Sequence, residues 1–262
     1  MTRQDQERLK VIDRLLREDV VDKIVPSPHR SEGWGKGRPD RPTPWGVVVH
    51  FTGGPHGTAA KWFQDPRAKA SAHVVIQRDG TVVLCVPVFD RAWHAGDSVW
   101  KGERYCNRFT FGIELENWGP IVRRGDGYFV WPPVDPKTKV RQYRRRFRGT
   151  GIHHAPFRSD FEFWESYDPR QIDALVEVLK ILVAPPGDWT PLDVGNVVGH
   201  EQVAPGRKID PGPAFPWKEV VARVFEIDPY LDTDADPDED EDDEHFFQIL
   251  DGTSKDRGDG VA

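Results

Sequence analysis

Residues 198–213 hold His200, Lys208 and Asp210 within eleven residues, in a stretch studded with glycine and proline. Such a loop is stiff, and its side chains are those of a reactive centre. Imidazole and carboxylate bind first-row metals, and three protein ligands with an open fourth position mark a catalytic rather than a structural zinc site. The loop lacks one ligand, so a fold that completes the site must bring one from elsewhere. The best-placed candidate lies 150 residues upstream, where the run Val47-Val48-Val49 ends in His50 and is followed by Phe51-Thr52-Gly53-Gly54. A buried strand there delivers its imidazole rigidly. A histidine closing an apolar run also serves as an ordinary core or strand-end residue.

Further segments follow in order. Residues 71–83, beginning Ser71-Ala72-His73, form two apolar runs around Asp79-Gly80 and predict a hairpin. Arg91-Ala92-Trp93-His94-Ala95-Gly96 and Phe111-Gly112-Ile113-Glu114-Leu115-Glu116-Asn117 come next. This succession resembles the zinc-dependent N-acetylmuramoyl-L-alanine amidases of the type 2, peptidoglycan recognition protein-like family, over residues 45–217. The recycling branch of that family is nearest, through Glu103-Arg104-Tyr105-Cys106-Asn107 and the ending Asp210-Pro211-Gly212-Pro213-Ala214-Phe215.

The resemblance implies Zn2+ held by His50, His200 and Asp210, with Glu114 and Lys208 as catalytic partners and with His73, Trp93 and His94 toward the substrate. Zinc lowers the pKa of water to roughly 7 and polarises a carbonyl. A carboxylate such as Glu114 takes the water's proton and returns it to the leaving amine. Lys208 lies two residues before a ligand, close enough to stabilise an oxyanion.

Each role has a plainer rival in the residues alone. Glu114 and Glu116 alternate with Ile113 and Leu115 and share a strand face, which could be solvated. Asp210 before Pro211 also suits a turn, Lys208 suits a surface, and His73 could be an inward strand histidine bonded to a neighbour. His153-His154 points two ways along a strand, against joint ligation. His29, His56 and His245 carry no argument.

At 262 residues with two cysteines, the expectation is one core of about 170 residues with appendages and no disulfide framework. Cys85 falls in an apolar strand pattern and Cys106 in a polar loop. Residues 1–25 alternate charge with Leu9, Ile12, Leu15, Leu16 and Val20, an amphipathic helix rather than a secretion signal, and no run of about 18 apolar residues offers a membrane span. The reading is a chain made in the cytoplasm that reaches a wall, if it does, by release or a route without a signal peptide.

The proposed division is this helix, an extended lead-in at 26–44, a catalytic domain at 45–228 with an insertion at about 119–163, and an acidic disordered tail at 229–262. The insertion carries Arg141, Arg144, Arg145, Arg146 and Arg148 beside Tyr143 and Phe147, with Trp118, Trp131 and Trp164 nearby. This suits an anionic glycan or the chain's own acidic tail, or is a solvated loop; nucleic acid is not the expected partner. Ten of the thirteen residues at 232–244 are acidic, and without them the formal charge goes from −7 to +3. That composition cannot bury enough apolar surface to fold. The tail, or the apolar cluster at 246–250, could dock a protein partner.

Short helices are expected at 58–63, and a longer one at 168–183 with Ile172, Leu175, Val176, Leu179 and Leu182 on one face. The fold class is α/β, a central mixed sheet flanked by helices with a zinc groove at the strand ends. The expected reaction is hydrolysis of the amide between N-acetylmuramic acid and L-alanine in peptidoglycan or muropeptides. A non-catalytic wall-binding module and a zinc peptidase of the stem peptide are the alternatives.

Overall fold

Runs of β-branched residues become strands, and the 3.6-residue apolar pattern becomes helices. The computed structural model describes residues 3–34, 44–131, 145–149, 151–156, 161–185 and 192–227. Its helices are α1 (Arg3–Leu15), prolonged by a π-helical turn at Leu16–Val20, α2 (Ala59–Trp62), α3 (Pro169–Val183), α4 (His200–Val203) and α5 (Trp217–Phe225). Its strands are β1 (Lys23–Ile24), β2 (Arg30–Ser31), β3 (Gly46–Phe51), β4 (Val74–Ile76), β5 (Val82–Leu84), β6 (Arg91–Ala92) and β7 (Val99–Trp100). They continue with β8 (Glu103–Arg104), β9 (Thr110–Leu115), β10 (Pro120–Arg124), β11 (Gly127–Val130), β12 (Ile152–His154), β13 (Phe163–Glu165) and β14 (Val197–Gly199).

Six strands form the main sheet in the order β1-β5-β4-β9-β3-β14. Neighbours from β4 to β14 run parallel, β4 and β5 pair antiparallel as a hairpin, and β1 lies parallel to β5. The hairpin turn closes with Gln77 N–H donating to Thr81 O at 2.9 Å, and Gly80 takes φ +88° there. Glycine alone adopts that angle without strain.

Alternation along β4 and β5 splits the core in two. Val74, Ile76, Val82 and Leu84 join the large cluster that holds Leu9, Ile12 and Leu16 near α1, the apolar face of α3, and Val220, Val221 and Val224 of α5. Val75 and Val83 instead meet Ala59, Ala60 and Phe63 around α2. All five apolar residues expected on α3 are buried, each contributing about 1.5–3 kcal/mol. Asp168 caps α3, its carboxylate accepting from Arg170 N–H at 3.0 Å. The protein is thus an α/β fold, a central mixed sheet flanked by helices.

The described residues ahead of β3 are tied to the rest of the fold. β1 and β2 pair with β5 and β6, and the Trp34 indole N–H donates to Val88 O at 2.8 Å. Part of the stretch at 119–163 forms a second, antiparallel sheet in the order β11-β10-β13-β12. Arg141, Tyr143, Arg144, the acidic run at 232–244 and the cluster at 246–250 lie outside the described residues. Cys106, expected in a polar loop, is fully buried in a 3-10 turn, because that turn packs under the large core; both cysteines are free. Among the described residues no helix is long and apolar enough to cross a membrane.

Candidate active site

Strand register fixes half of the site. His50 and Glu114 are direct partners on β3 and β9, and partners in a parallel pair project to the same face. That is the face Ile113 and Leu115 do not use, away from α3. His200 begins α4 immediately after β14, whose Gly199 pairs with Val49 on β3. Asp210 folds back onto it, because Glu201 N–H donates to Asp210 O at 2.9 Å and the Glu201 carboxylate accepts from Gly212 N–H at 3.1 Å. Residues 150 apart in sequence thereby meet.

The meeting is close. His50 Nδ1 lies 2.8 Å from His200 Nδ1, and Asp210 Oδ2 lies 3.1 Å from the first and 2.9 Å from the second. All three residues are buried. Their surroundings decide where the ring protons sit. His94 Nε2 faces the Thr110 carbonyl at 3.1 Å, and a carbonyl only accepts, so the proton is on Nε2 and Nδ1 is bare. That bare nitrogen, 3.0 Å from His50 Nε2, requires His50 to donate from Nε2. His200 Nε2 in turn donates to the Ala95 carbonyl at 3.2 Å. Both Nδ1 atoms are therefore lone pairs, aimed at each other and at a carboxylate, with no hydrogen among the three.

Only an added positive charge satisfies such a corner. Burial pulls the His50 imidazole down to about 4. At neutral pH that ring does not hold a second proton. Two imidazole nitrogens and a carboxylate oxygen are a set that fits a divalent cation, and among the described residues this is the group of metal-ligating side chains that converges.

Glu114 stands beside this corner. Its Oε2 is buried and finds no hydrogen-bond partner. Burial, followed by the charge of Asp210, raises its carboxyl to about 8, while Lys208 draws it down. Lys208 is thus close enough to act electrostatically on both Glu114 and His50. Its backbone N–H is fixed to Ala204 O at 3.0 Å.

The remaining expected residues separate. His94, expected toward the substrate, is partly exposed; it accepts from His50 and donates to Thr110, so it also orients a ring of the corner. Gly112 makes room for it, since a Cβ at that position would sit 2.4 Å from the His94 ring. His73 is not toward the substrate. It is 1% exposed, donating to Asp90 O at 3.0 Å and accepting from Gly112 N–H at 2.9 Å, because β4 turns it inward. Trp93 is exposed and its indole donates to Ser31 Oγ at 3.0 Å. Glu116 is no solvated partner of Glu114, being fully buried with its carboxylate accepting from Gly57 N–H and His56. Trp164 is buried core filler under Gly212 rather than an open sugar platform. His154 bonds Glu162 at 3.1 Å, away from His153's register partner Trp164.

Sequence reasoning missed four contributors. The carbonyls of Thr110 and Ala95 set the tautomers, and no sequence signal marks a backbone carbonyl. Arg207 donates to Ala95 O and Asp97 O, each at 2.6 Å, clamping the loop that holds the second carbonyl. Glu201 ties the loop ends together and burial raises its carboxyl to about 8; its place next to His200 was the available hint.

A family model described as N-acetylmuramoyl-L-alanine amidase matches residues 39–213. The 1,6-anhydro-N-acetylmuramyl-L-alanine amidase AmpD of Escherichia coli K12 is 31% identical over 211 residues, covering 74% of this chain and 86% of that protein. The N-acetylmuramoyl-L-alanine amidase AmiD of the same organism is 34% identical over 181 residues, 66% of this chain and 51% of AmiD. A solved complex of E. coli AmiD with anhydro-N-acetylmuramic acid-L-Ala-D-gamma-Glu-L-Lys superposes with a TM-score of 0.50 at 24% identity, over 72% of this chain and 60% of that one, a likeness of fold. This chain belongs to the N-acetylmuramoyl-L-alanine amidase family, hydrolases of the amide bond between N-acetylmuramic acid and L-alanine.

Proposed function

We propose that this chain performs that hydrolysis on muropeptides with zinc held by His50, His200 and Asp210, and with Glu114 and Lys208 as its catalytic residues. The observation that carries the reading is the corner of two bare Nδ1 atoms and one carboxylate oxygen, within 3.1 Å of each other and free of protons. Zinc bound there supplies Lewis acidity, polarising the scissile carbonyl and acidifying water at neutral pH.

The chain's own groups do the rest. Glu114, buried beside the corner with one carboxylate oxygen unpartnered, is the group placed to take a proton, as carboxylate, from the attacking water and return it to the alanine nitrogen as the amide breaks. Lys208 holds positive charge where the carbonyl oxygen becomes negative. His94 and Thr110 keep His50 in one tautomer, and Ala95 does the same for His200, so neither ring must reorganise during turnover. The buried faces of β3 and β9 exclude bulk water from one side. Synthesis in the cytoplasm, where soluble wall fragments return, is the setting we propose, with access to intact wall needing release or export.

The test is to incubate purified protein with soluble muropeptides and with intact sacculi, with and without a chelator, and to identify products by mass spectrometry. A free stem peptide beginning with alanine, lost on thorough chelation and restored by zinc, is the expected result. Cleavage within the stem instead would make the protein a peptidase. Turnover that survives complete metal removal would overturn the metal role.

A further inference from the structure

The second sheet carries a cluster of exposed arginines, and among the described residues two of them, Arg145 and Arg148, form no ion pair. Residues 145–147 run alongside β11: Val130 N–H donates to Arg145 O at 3.1 Å, Phe147 N–H donates to Tyr128 O at 2.7 Å, and Phe129 and Arg146 form a β-bridge. This pairing holds three arginines on a fixed strip of backbone. Arg145, Arg146 and Arg148, all exposed, line a groove of about 670 Å³ together with Trp118. The Trp118 ring lies under the Arg145 guanidinium at 5.0 Å and the Arg78 guanidinium at 5.8 Å.

The acids of the neighbourhood are already committed. Glu165, 1% exposed, accepts from Arg78 at 2.9 and 2.8 Å. Asp126, almost fully exposed, approaches Arg146 at 3.7 Å. Among the described residues no carboxylate forms an ion pair with Arg145 or Arg148. Planar guanidiniums grip oxyanions through paired N–H donors, and stacking on an indole stiffens one of them for that task. A groove of this kind is built for an anion.

Its position narrows the choice. Trp118 follows Glu114 by four residues, so the groove begins within roughly 13 Å of chain from the catalytic carboxylate at about 3.3 Å per residue. An extended peptide of three or four residues spans about the same distance. We propose that Trp118, Arg145, Arg146 and Arg148 form an anion subsite that takes a carboxylate of the stem peptide, two to three residues beyond the scissile amide. This rests on the amidase reading and adds to it a determinant of substrate choice.

The experiment compares two synthetic muropeptides, one with free stem carboxylates and one with the same groups as carboxamides, on zinc-loaded wild type and on the Arg145→Gln/Arg148→Gln variant. Both substituted residues are exposed, and circular dichroism verifies the fold. Wild type is expected to prefer the carboxylate substrate about tenfold in kcat/KM, the size of a charge-assisted bond at an open site, mostly through KM. In the variant that ratio collapses toward one. Equal rates on both substrates in wild type, or a preference that persists in the variant, overturns the subsite and leaves the amidase reading standing. A third arm measures binding to sacculi with and without phosphodiester polymers. Loss of phosphate-dependent binding in the variant, with the stem preference intact, assigns the groove to a phosphodiester and overturns the carboxylate. Cleavage of neither muropeptide defeats the amidase reading itself, and the subsite with it.

Discussion

The corner at His50, His200 and Asp210 and the strip at residues 145–148 both concentrate polar side chains, and they are built in opposite ways. In the corner every ring proton has a backbone or imidazole acceptor, the groups are buried, and the strands that carry them sit in the middle of the sheet. On the strip the guanidiniums are exposed, and among the described residues those of Arg145 and Arg148 have no acidic partner. The first arrangement fixes geometry at the cost of desolvation. The second leaves charge available to whatever docks. Chemistry that needs a few tenths of an ångström goes to the sheet, and choice of substrate can be left to an addition at its edge.

The comparison breaks most visibly at the corner. His200→Ala is expected to abolish turnover and bound metal together, measured by product formation and metal analysis. Glu114→Gln should keep the metal and lose about 10²–10⁴ in kcat. Full activity in that variant would remove Glu114 from the reaction. Lys208→Met is expected to lower kcat by about 10². Because Lys208 draws the Glu114 carboxyl down, its removal should also move the acidic limb of the kcat/KM profile to higher pH; an unmoved limb would disconnect the two.

Acid separates structure from catalysis. Burial holds the His73 ring down at about 4 from 6.5, so the unfolded chain binds the proton first. Its contribution is present above pH 6.5 and is lost as pH falls toward 4, about 3 kcal/mol in all. Denaturant titrations of the metal-free protein at pH 7 and pH 4 would register it together with the shares of His50 and His94, which burial holds down as well, and a His73→Gln variant should make the change smaller by about the His73 share. His94→Phe, which leaves the His50 Nε2–H without its acceptor, is expected to weaken zinc binding 10–100-fold, with partial recovery in His94→Gln. Undiminished affinity in the phenylalanine variant would deny His94 its orienting role. Smallest of all, Arg148→Gln on the strip should change stability by no more than about 0.5 kcal/mol. A larger loss would mean that the strip, too, is structural.

Much of the site was legible because its signals are local. Val47-Val48-Val49 reads as a buried strand that carries His50 near its end, as β3 does, and the Gly/Pro-rich stretch at 198–213 pointed to a rigid segment around His200 and Asp210, although its start at His200–Val203 is helical rather than a loop. The face of α3 and the hairpin at Asp79-Gly80 followed from periodicity and turn chemistry. His73 and Glu116 stayed between two readings because an alternating pattern gives two faces and does not say which is covered. Trp164 reads the same as a platform or as filler until Gly212 is set against it. Cys106 looked polar from its neighbours, but the turn that holds it is buried by residues far away in sequence.

What the chain determined by itself was which residue types could meet and which elements would carry them, since propensity, spacing and donor chemistry act over a few residues. Register between β3 and β9, the return of Asp210 to His200, and the carbonyls of Thr110 and Ala95 that strip the protons from both Nδ1 atoms were decided only by tertiary structure. The reason is physical: a proton's position depends on which acceptor lies within 3 Å or so, and those acceptors are backbone atoms that look alike in every sequence.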